Sequence, residues 1–219
     1  EPIGLTPWLK VEWQREYRDE YSLHQTCDAG LQAYDVDKDG LMDIVIPFRK
    51  DSDRIMCVSA QNGDVKWVYP PMDQDGIAGD PMGVPAIGDM DGDGKDEVIC
   101  AKDFEILFLD GKTGEIKRRA PTPKSKMGEA WGGGDEDWLP RISGDSIMFC
   151  DLAVRGRREE LTIKDRYNKI WAYDSHFNQL WSYSGKMAHH ARPYDIDGDG
   201  REEVYVGDAM LDHDGTVLW

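Results

Sequence analysis

The apolar residues of this chain fall in short runs that are separated by acidic or glycine-rich segments. Several of the runs are β-branched, such as 44–46, 98–100 and 204–206, and residues 8–13 alternate between apolar and polar positions. Runs of this kind are typical of β-strands. Because the longer apolar period of a helix is nearly absent, the pattern predicts an all-β protein.

An acidic nonapeptide separates the first two predicted strands of each repeating unit. Its copies begin at Asp35, Asp89, Asp151 and Asp195, so successive copies start 54, 62 and 44 residues apart. A period of about 50 residues with four short strands per unit is typical of propeller blades. We therefore expect a single β-propeller region over residues 1–219, with blades at approximately 28–69, 83–119, 145–183 and 192–219.

Four predicted blades are few for a closed ring. Residues 8–17 supply one further strand, which we assign to a preceding or closing blade. Propellers reach about eight blades, so we expect the chain to be part of a ring of about seven or eight blades. In the alternative, the chain is complete, and two copies self-associate through open blade edges to form one eight-bladed ring.

Three copies of the nonapeptide have acids at positions 1, 3, 5 and 9 and a glycine at position 6. Oxygen ligands in this alternation form a cage of the size that Ca²⁺ prefers. An EF-hand needs a glutamate at position 12, where this chain has Ile46, Cys100 and Val206. The alternative is that the segments are only Asp/Gly turns. We predict three Ca²⁺ sites, with the ligands Asp35, Asp37, Asp39 and Asp43; Asp89, Asp91, Asp93 and Glu97; and Asp195, Asp197, Asp199 and Glu203.

The fourth copy of the nonapeptide has lost part of this chemistry. It keeps Asp151 at position 1 and Glu159 at position 9, but Ala153 and Arg155 stand where ligands are needed. The guanidinium of Arg155 is predicted to neutralise the two acids in place of a metal ion. We expect no metal at this copy.

The net charge of −17 results from 43 acidic and 26 basic residues. It argues against nucleic acid as a partner, because phosphate binding needs clustered positive charge. Three Ca²⁺ ions add six positive charges to −17, which leaves −11. Much of the acidity is therefore explained by metal rather than by a partner.

No apolar segment reaches the roughly 18 to 20 residues of a membrane span, and no charged and then apolar leader begins the chain. We expect a soluble protein whose signal peptide, if it had one, is already removed. The cysteines form no C-x-x-C pair, which argues against zinc and thioredoxin-like chemistry. Three of them lie in apolar runs and are predicted to be buried thiols, while disulfide pairing stays open: Cys27, Cys57, Cys100 and Cys150.

The motif D-x-D-x-D-G-x-x-[DE] between strands resembles the calcium-binding FG-GAP repeats of integrin-type propellers over almost the whole chain. Residues 194–219 are similar to rhamnogalacturonan lyases of family eleven, through the stretches 195–200, 206–211 and 212–215. In those lyases a calcium-loop propeller cleaves pectic polysaccharide. The resemblance implies a carbohydrate-active protein, extracellular or periplasmic, whose partner is an acidic polysaccharide or glycan.

Candidate chemistry is expected on the face opposite the acidic loops, where the loops between second and third strands meet the connections between blades. Eliminative cleavage of a uronate requires a cation for the carboxylate, a base for the adjacent proton and an acid for the leaving oxygen. We assign catalysis to His189, His190, Lys164, Arg166 and Tyr167. We assign substrate binding to Lys102, Trp131, Trp138 and Arg192.

These side chains also have a structural interpretation. A Lys–Asp pair at a strand end is most often a solvated ion pair, and the two histidines are equally compatible with packing or capping. Two function classes therefore stay open: a polysaccharide lyase, and a non-catalytic calcium-stabilised propeller that binds glycan or protein.

Overall fold

The computed structural model describes residues 11–17, 25–26, 31–49, 54–74, 85–102, 104–125, 137–138, 147–154, 156–165 and 167–219. These residues form strands and turns, and none of them is helical. The strands form four antiparallel blades arranged as a β-propeller, so the predicted fold class is confirmed. The number of blades in a complete ring stays a prediction.

Each blade is a sheet whose strands pair in chain order, with β1 and β2 both on β3 in the first blade. Blade 1 consists of β1 (Gln25–Thr26), β2 (Gln32–Tyr34), β3 (Asp43–Arg49), β4 (Ile55–Ser59) and β5 (Val65–Tyr69). Blade 2 consists of β6 (Ala86–Gly88), β7 (Glu97–Lys102), β8 (Glu105–Asp110) and β9 (Ile116–Pro121). A separate two-stranded sheet follows, formed by β10 (Lys124–Ser125) and β11 (Asp137–Trp138).

Blade 3 consists of β12 (Ile147–Cys150), β13 (Glu160–Lys164), β14 (Lys169–Tyr173) and β15 (Gln179–Ser184). Blade 4 consists of β16 (Met187–Tyr194), β17 (Glu203–Gly207) and β18 (Met210–Leu211). The end of the chain lies beside β18 as a fourth strand does, because Val217 bridges Leu211 and the Leu218 amide donates to the Met210 carbonyl at 2.9 Å.

The third strand of each of the first three blades is buried on both of its faces. In β8, Leu107 and Leu109 pack in the cluster that blade 2 shares with blade 1, while Ile106 and Phe108 pack in the cluster shared with blade 3. Side chains alternate between the two faces of a strand, and each buried apolar side chain contributes about 1.5–3 kcal/mol. The stretch 105–110 is therefore a nearly continuous apolar run in the sequence.

Neighbouring blades are also joined by a polar contact, which we call the clasp. A side-chain N–H at the last strand of one blade donates to a carbonyl in the turn between the third and fourth strands of the next blade. The clasps between blades are Trp67 Nε1 to Gly111 O (2.8 Å), Arg118 Nη1 to Ser175 O (3.1 Å) and Trp181 Nε1 to His213 O (2.8 Å). Arg118 replaces tryptophan in blade 2, and its guanidinium lies 4.0 Å from the centre of the Phe108 ring.

Residues 11–17 show how the first blade is covered. They have no strand pairing, although 8–17 was predicted as a strand, and residues 8–10 lie outside the described part. Trp13 Nε1 donates to Ala60 O at 2.8 Å, and the Tyr17 hydroxyl donates to Gly63 O at 2.7 Å. Trp13 thus makes on blade 1 the clasp that Trp67 makes on blade 2, so this segment takes the place of a preceding blade's last strand.

The clasp predicts a difference between two glycines with similar backbone conformations. Gly114 has φ of 71° and an added Cβ would lie 2.7 Å from the Trp67 ring, whereas Gly156 has φ of 68° and open space around it. Both substitutions by alanine carry the cost of a left-handed backbone. We expect Gly114→Ala to destabilise the protein by roughly 1–2 kcal/mol more than Gly156→Ala, because it also displaces the indole. Urea unfolding of the two variants measures the difference, and equal losses would contradict the role of the clasp.

Candidate functional site

Each acidic loop joins the first and second strands of one blade. We number them by blade: loop 1 (35–43), loop 2 (89–97), loop 3 (151–160) and loop 4 (195–203). The residues at positions 4 and 6 have positive φ in all four loops, and these are Lys38 and Gly40, Gly92 and Gly94, Val154 and Gly156, and Gly198 and Gly200. Two left-handed residues turn the chain sharply, so the side chains at positions 1, 3 and 5 meet on one side.

The position-1 aspartate organises each loop by accepting amide hydrogens from the backbone. Asp89 accepts from the amides of Asp93 and Gly94 at 3.1 and 2.9 Å. Asp35 does the same in loop 1, and Asp195 accepts from Gly198 and Gly200 in loop 4. The carboxylate is therefore fixed in position before any ligand binds.

Loops 1, 2 and 4 each bring three carboxylates together. Ligand oxygens lie within 4.8 Å of one another in three groups: Asp35, Asp37 and Asp39; Asp89, Asp91 and Glu97; and Asp195, Asp197 and Asp199. Asp43, Asp93 and Glu203, which were also predicted as ligands, are outside the groups that meet this distance. In loops 2 and 4, Oε2 of the glutamate at position 9 accepts a hydrogen bond from the backbone amide at position 2 of the same loop. Glu97 accepts from Met90 at 3.0 Å, and Glu203 accepts from Ile196 at 2.8 Å.

Loop 1 supplies a direct test of whether a cation fits. Oδ1 of Asp37 is buried and accepts no hydrogen bond within the described part of the chain. Buried carboxylate oxygens are costly unless they are paired or coordinate a metal. An all-oxygen donor set of this kind suits a hard cation such as Ca²⁺, so the residues of the loop fit the ion that the sequence predicts.

Two lysines that the sequence analysis missed point into the cages. Lys66 Nζ lies 2.6 Å from Asp43 Oδ1 and 2.9 Å from Asp37 Oδ2. Lys117 Nζ lies 3.1 Å from Asp91 and 3.2 Å from Asp93, and it also contacts Glu97. A repeated sequence could have identified these lysines, because residues 63–66 read G-D-V-K and residues 114–117 read G-E-I-K.

In loop 3 the structure assigns the role of the position-9 acid to a different residue from the one predicted. Glu159 was placed at position 9, but Glu160 begins β13 and its Oε2 accepts the Leu152 amide at 3.1 Å, as Glu97 does in loop 2. Loop 3 is therefore one residue longer than the others, and Glu159 contacts Arg157 instead. The predicted role of Arg155 lies outside the described residues.

Acids at position 8 link the loops of adjacent blades. Asp96 Oδ2 lies 2.5 Å from Nζ of Lys38 in loop 1. Glu202 Oε2 accepts the amide of Asp151 in loop 3 at 2.9 Å, and its other oxygen contacts Arg158. Burial raises the pKa of Asp96, which the neighbouring Lys38 partly opposes, and burial also raises the pKa of Asp43 and Glu97.

On the opposite face, the predicted catalytic side chains differ in accessibility. Lys164 is 1% exposed, so it does not present its ammonium group to solvent. Tyr167 is 38% exposed, and its carbonyl accepts the Met187 amide at 2.9 Å, which joins its loop to β16. His190 is exposed. Five of the predicted side chains lie outside the described part of the structure, and these are Arg166, Trp131, His189, Lys102 and Trp138.

The two histidines lie elsewhere in the blade than predicted. They were placed before the first strand of blade 4, but His189 and His190 lie inside β16, which begins at Met187. The pairing of β16 with β17 is irregular between Met187 and Arg192, and Arg192 is exposed. The strand itself therefore carries His190 and Arg192, next to the loop that contains Tyr167.

A groove runs between blade 3 and the connection that follows blade 2. Its volume is about 710 Å³, and its walls include Lys124, Ser125, Asn168, Lys169, Trp171 and Tyr173. The Ser125 hydroxyl donates to Oδ2 of the buried Asp165 at 2.5 Å, while Oδ1 accepts the amides of residues 167–169. Asp165 thus fixes both the groove and the Tyr167 loop, although the sequence analysis gave it no role.

Three of the cysteines are buried free thiols, as predicted: Cys57, Cys100 and Cys150. Burial raises the pKa of Cys57 to about 12, so its thiol stays protonated and unreactive at neutral pH. Cys27 lies outside the described residues. Within the described part of the chain, no helix is long and apolar enough to cross a membrane.

Comparison with known proteins agrees with this architecture. Among solved structures, the chain is similar to the biofilm matrix protein Bap1 of V. cholerae, with a TM-score of 0.64, 23% identity, and coverage of 96% of this chain and 33% of that one. It is also similar to the rhamnogalacturonan lyase PL11 of Bacillus licheniformis, with a TM-score of 0.62, 19% identity, and coverage of 89% and 42%. Identities this low define the class alone, which is the β-propeller.

Sequence comparison is more specific for the C-terminal region. Residues 162–219 match the family described as rhamnogalacturonan lyase family 11, C-terminal domain. The chain is 30% identical over 149 residues to the rhamnogalacturonan exolyase YesX of Bacillus subtilis (strain 168), which covers 61% of this chain and 24% of the relative. The chain thus spans about a quarter of the length of that curated relative.

The raised pKa of Asp96 predicts a pH dependence of stability in calcium-free buffer. A carboxyl group with a raised pKa binds protons more readily in the folded state, so its contribution to stability is present below the unfolded pKa and is lost as pH rises through the folded pKa. We expect Asp96→Asn to flatten the dependence of the melting temperature on pH as pH rises above about 4. The exposed acid Asp73 gives the matched control, and an Asp73→Asn variant with an equally flattened curve would contradict the assignment.

Proposed function

We propose that this chain is the calcium-binding propeller region of a polysaccharide lyase that cleaves a uronate-containing, pectin-type polymer by elimination. The observation that carries the proposal is the match of residues 162–219 to the C-terminal domain of rhamnogalacturonan lyase family 11. The identity to the exolyase YesX over 149 residues supports it. The likeness to integrin-type repeats stays a prediction.

In this proposal Ca²⁺ is held by loops 1, 2 and 4. The ligands would be the grouped aspartates of each loop, with Glu97 in loop 2. When bound, the ion supplies positive charge that offsets the repulsion between the carboxylates. Since each loop joins the first and second strands of a blade, its residues stabilise the propeller rather than contact the polymer.

The opposite face would carry the chemistry. Elimination removes the proton on the carbon next to the uronate carboxylate, forms a carbon–carbon double bond, and releases the glycosidic oxygen, which takes up a proton. His190 is the described side chain best suited to hold a proton near neutral pH, and Arg192 on the same strand is suited to the substrate carboxylate. The Tyr167 hydroxyl is a candidate proton donor to the leaving oxygen.

A second function is a non-catalytic propeller that binds glycan or protein. The observation that favours it is the burial of Lys164, one of the predicted catalytic residues, which is 1% exposed. In that case the exposed His190 and Arg192 would serve as contacts for a partner and not as catalysts.

We expect the complete protein to release unsaturated uronate product from rhamnogalacturonan in the presence of calcium, measured by ultraviolet absorbance. His190→Ala is expected to reduce turnover at least about 100-fold, which is the typical contribution of a general acid or base. The melting temperature should stay nearly unchanged, because the side chain is exposed.

The matched control for this experiment is His176→Ala. His176 is an exposed histidine in the turn between β14 and β15, on the face of the acidic loops, so its removal should leave turnover intact. A protein that binds the polymer without releasing product would favour the non-catalytic function. If His190→Ala retains turnover in proportion to folded protein, the catalytic group must lie elsewhere.

Calcium removal tests the metal proposal separately. Chelation should lower the melting temperature, because an ion that binds only the folded loops stabilises the folded state. Asp91→Ala should reduce this calcium-dependent shift without abolishing it, since it disables one of the three proposed sites. Asp73→Ala removes the same charge outside the loops and should leave the shift unchanged. A full shift in Asp91→Ala would show that loop 2 binds no calcium.

The remaining predictions concern setting and assembly. We propose an extracellular or periplasmic location, where millimolar calcium would keep the weaker cages occupied. An acidic polysaccharide or glycan is the proposed partner, and nucleic acid is not. Self-association through open blade edges stays a prediction for the case in which the chain is complete.

A further inference from the structure

The last strand of each blade contains one residue that is skipped in the pairing with the third strand. In blade 1, Cys57 pairs with Trp67 and Val58 with Val65, so Lys66 forms a β-bulge. The same irregularity makes Lys117 the bulge residue of blade 2 and Leu180 the bulge residue of blade 3. A bulge redirects its side chain relative to the regular strand.

Blade 4 repeats this arrangement at Leu218. Val217 bridges Leu211, and both the Leu218 amide and the Trp219 carbonyl bond to Met210. Leu218 is therefore equivalent to Lys66, and Trp219 is equivalent to Trp67. The four bulge residues are two lysines followed by two leucines.

The lysine bulges contact the acidic loops of their own blades. Lys66 Nζ contacts three carboxylates of loop 1, with the longest distance 3.5 Å, to Asp39. Lys117 Nζ contacts three carboxylates of loop 2. Each ammonium group thus lies among the oxygens that the proposed Ca²⁺ would use.

Loops 3 and 4 have leucine at this position. Leu180 is 49% exposed and is the bulge residue of blade 3, whose loop 3 lacks acids at positions 3 and 5. Leu218 is 50% exposed, yet loop 4 has the full set of acids. In loop 4, Arg201 lies 3.7 Å from Asp199 at the exposed rim, where solvent weakens the interaction.

We propose that the bulge residue sets the calcium affinity of its blade, with Lys66 and Lys117 as tethered counter-ions that compete with Ca²⁺ and Leu218 leaving loop 4 dependent on the ion. The inference rests on the proposal that the loops bind calcium. Without metal, a lysine contacts three carboxylates in each of loops 1 and 2, whereas loop 4 has only the exposed contact of Arg201 with Asp199 among the described residues. Loop 4 is therefore the tightest site.

Competition requires that the lysines leave when calcium enters. Their side chains are 22% and 23% exposed, and lysine has a flexible four-carbon stem. The bulge lies in the outermost strand of the blade, so the ammonium group reaches water by rotation of its own side chain. The backbone of the loop, which the position-1 aspartate fixes, does not need to move.

The test compares reciprocal substitutions in proteins that keep a single working loop. With loops 2 and 4 disabled by Asp91→Ala and Asp197→Ala, Lys66→Leu is expected to tighten calcium binding about tenfold, equivalent to about 1.4 kcal/mol. With loops 1 and 2 disabled by Asp37→Ala and Asp91→Ala, Leu218→Lys is expected to weaken it about tenfold. Isothermal titration with calcium chloride gives the Kd values.

Melting temperatures in EDTA supply a readout without metal. Lys66→Leu should lower the melting temperature, because it leaves the loop 1 carboxylates without a counter-ion, and Leu218→Lys should raise it. Leu180→Lys is the control, since loop 3 lacks the acids that a lysine would neutralise, and it should change neither Kd nor the EDTA melting temperature.

Failure of this inference is distinguishable from failure of the calcium proposal. If calcium binds but Kd changes less than twofold in both substitutions, the bulge residue does not tune the site and only this inference is overturned. If no single-loop protein binds calcium, both are overturned. Because Leu218 is half exposed, the Leu218→Lys arm decides the question even if Lys66→Leu fails to fold.

Discussion

The structure depends on the fact that its blades are apolar on both faces. A strand such as β8 sends Ile106 and Phe108 to one side and Leu107 and Leu109 to the other, so a blade taken alone would expose both of these apolar faces to water. Neighbouring blades supply the missing cover, and each clasp adds a hydrogen bond between them. The segment with Trp13 performs that role for blade 1, whose outer cluster also includes Tyr17.

Charge imposes the second constraint. Each turn between first and second strands gathers several carboxylates, and a chain with a net charge of −17 gains stability wherever that repulsion is offset. In blades 1 and 2, a lysine from the outer strand offsets this repulsion. A contact between blades, such as that of Lys38 with Asp96, also offsets it. One loop motif is therefore kept while the cations that offset its carboxylates change from blade to blade.

The sequence predicted what is local and repeated. Strand periodicity, the spacing of the loops and the left-handed glycine at position 6 are consequences of neighbouring residues, so the fold class and the carboxylate groups could be recognised. The contacts of Lys66 and Asp165 depend on pairing between distant strands, which spacing does not reveal. The frame of loop 3 was missed because Glu159 and Glu160 are adjacent acids, and only the strand pairing shows which of them takes position 9. The burial of Lys164 also follows from packing between blades.

The clasp has a fixed direction along the chain. The donor precedes its acceptor by 47, 44, 57 and 32 residues in the four pairs, from Trp13 to Trp181. During synthesis on the ribosome, each blade therefore emerges with its donor already present, and the next blade brings the acceptor. Docking follows the order of translation, since domains and repeats fold as they emerge.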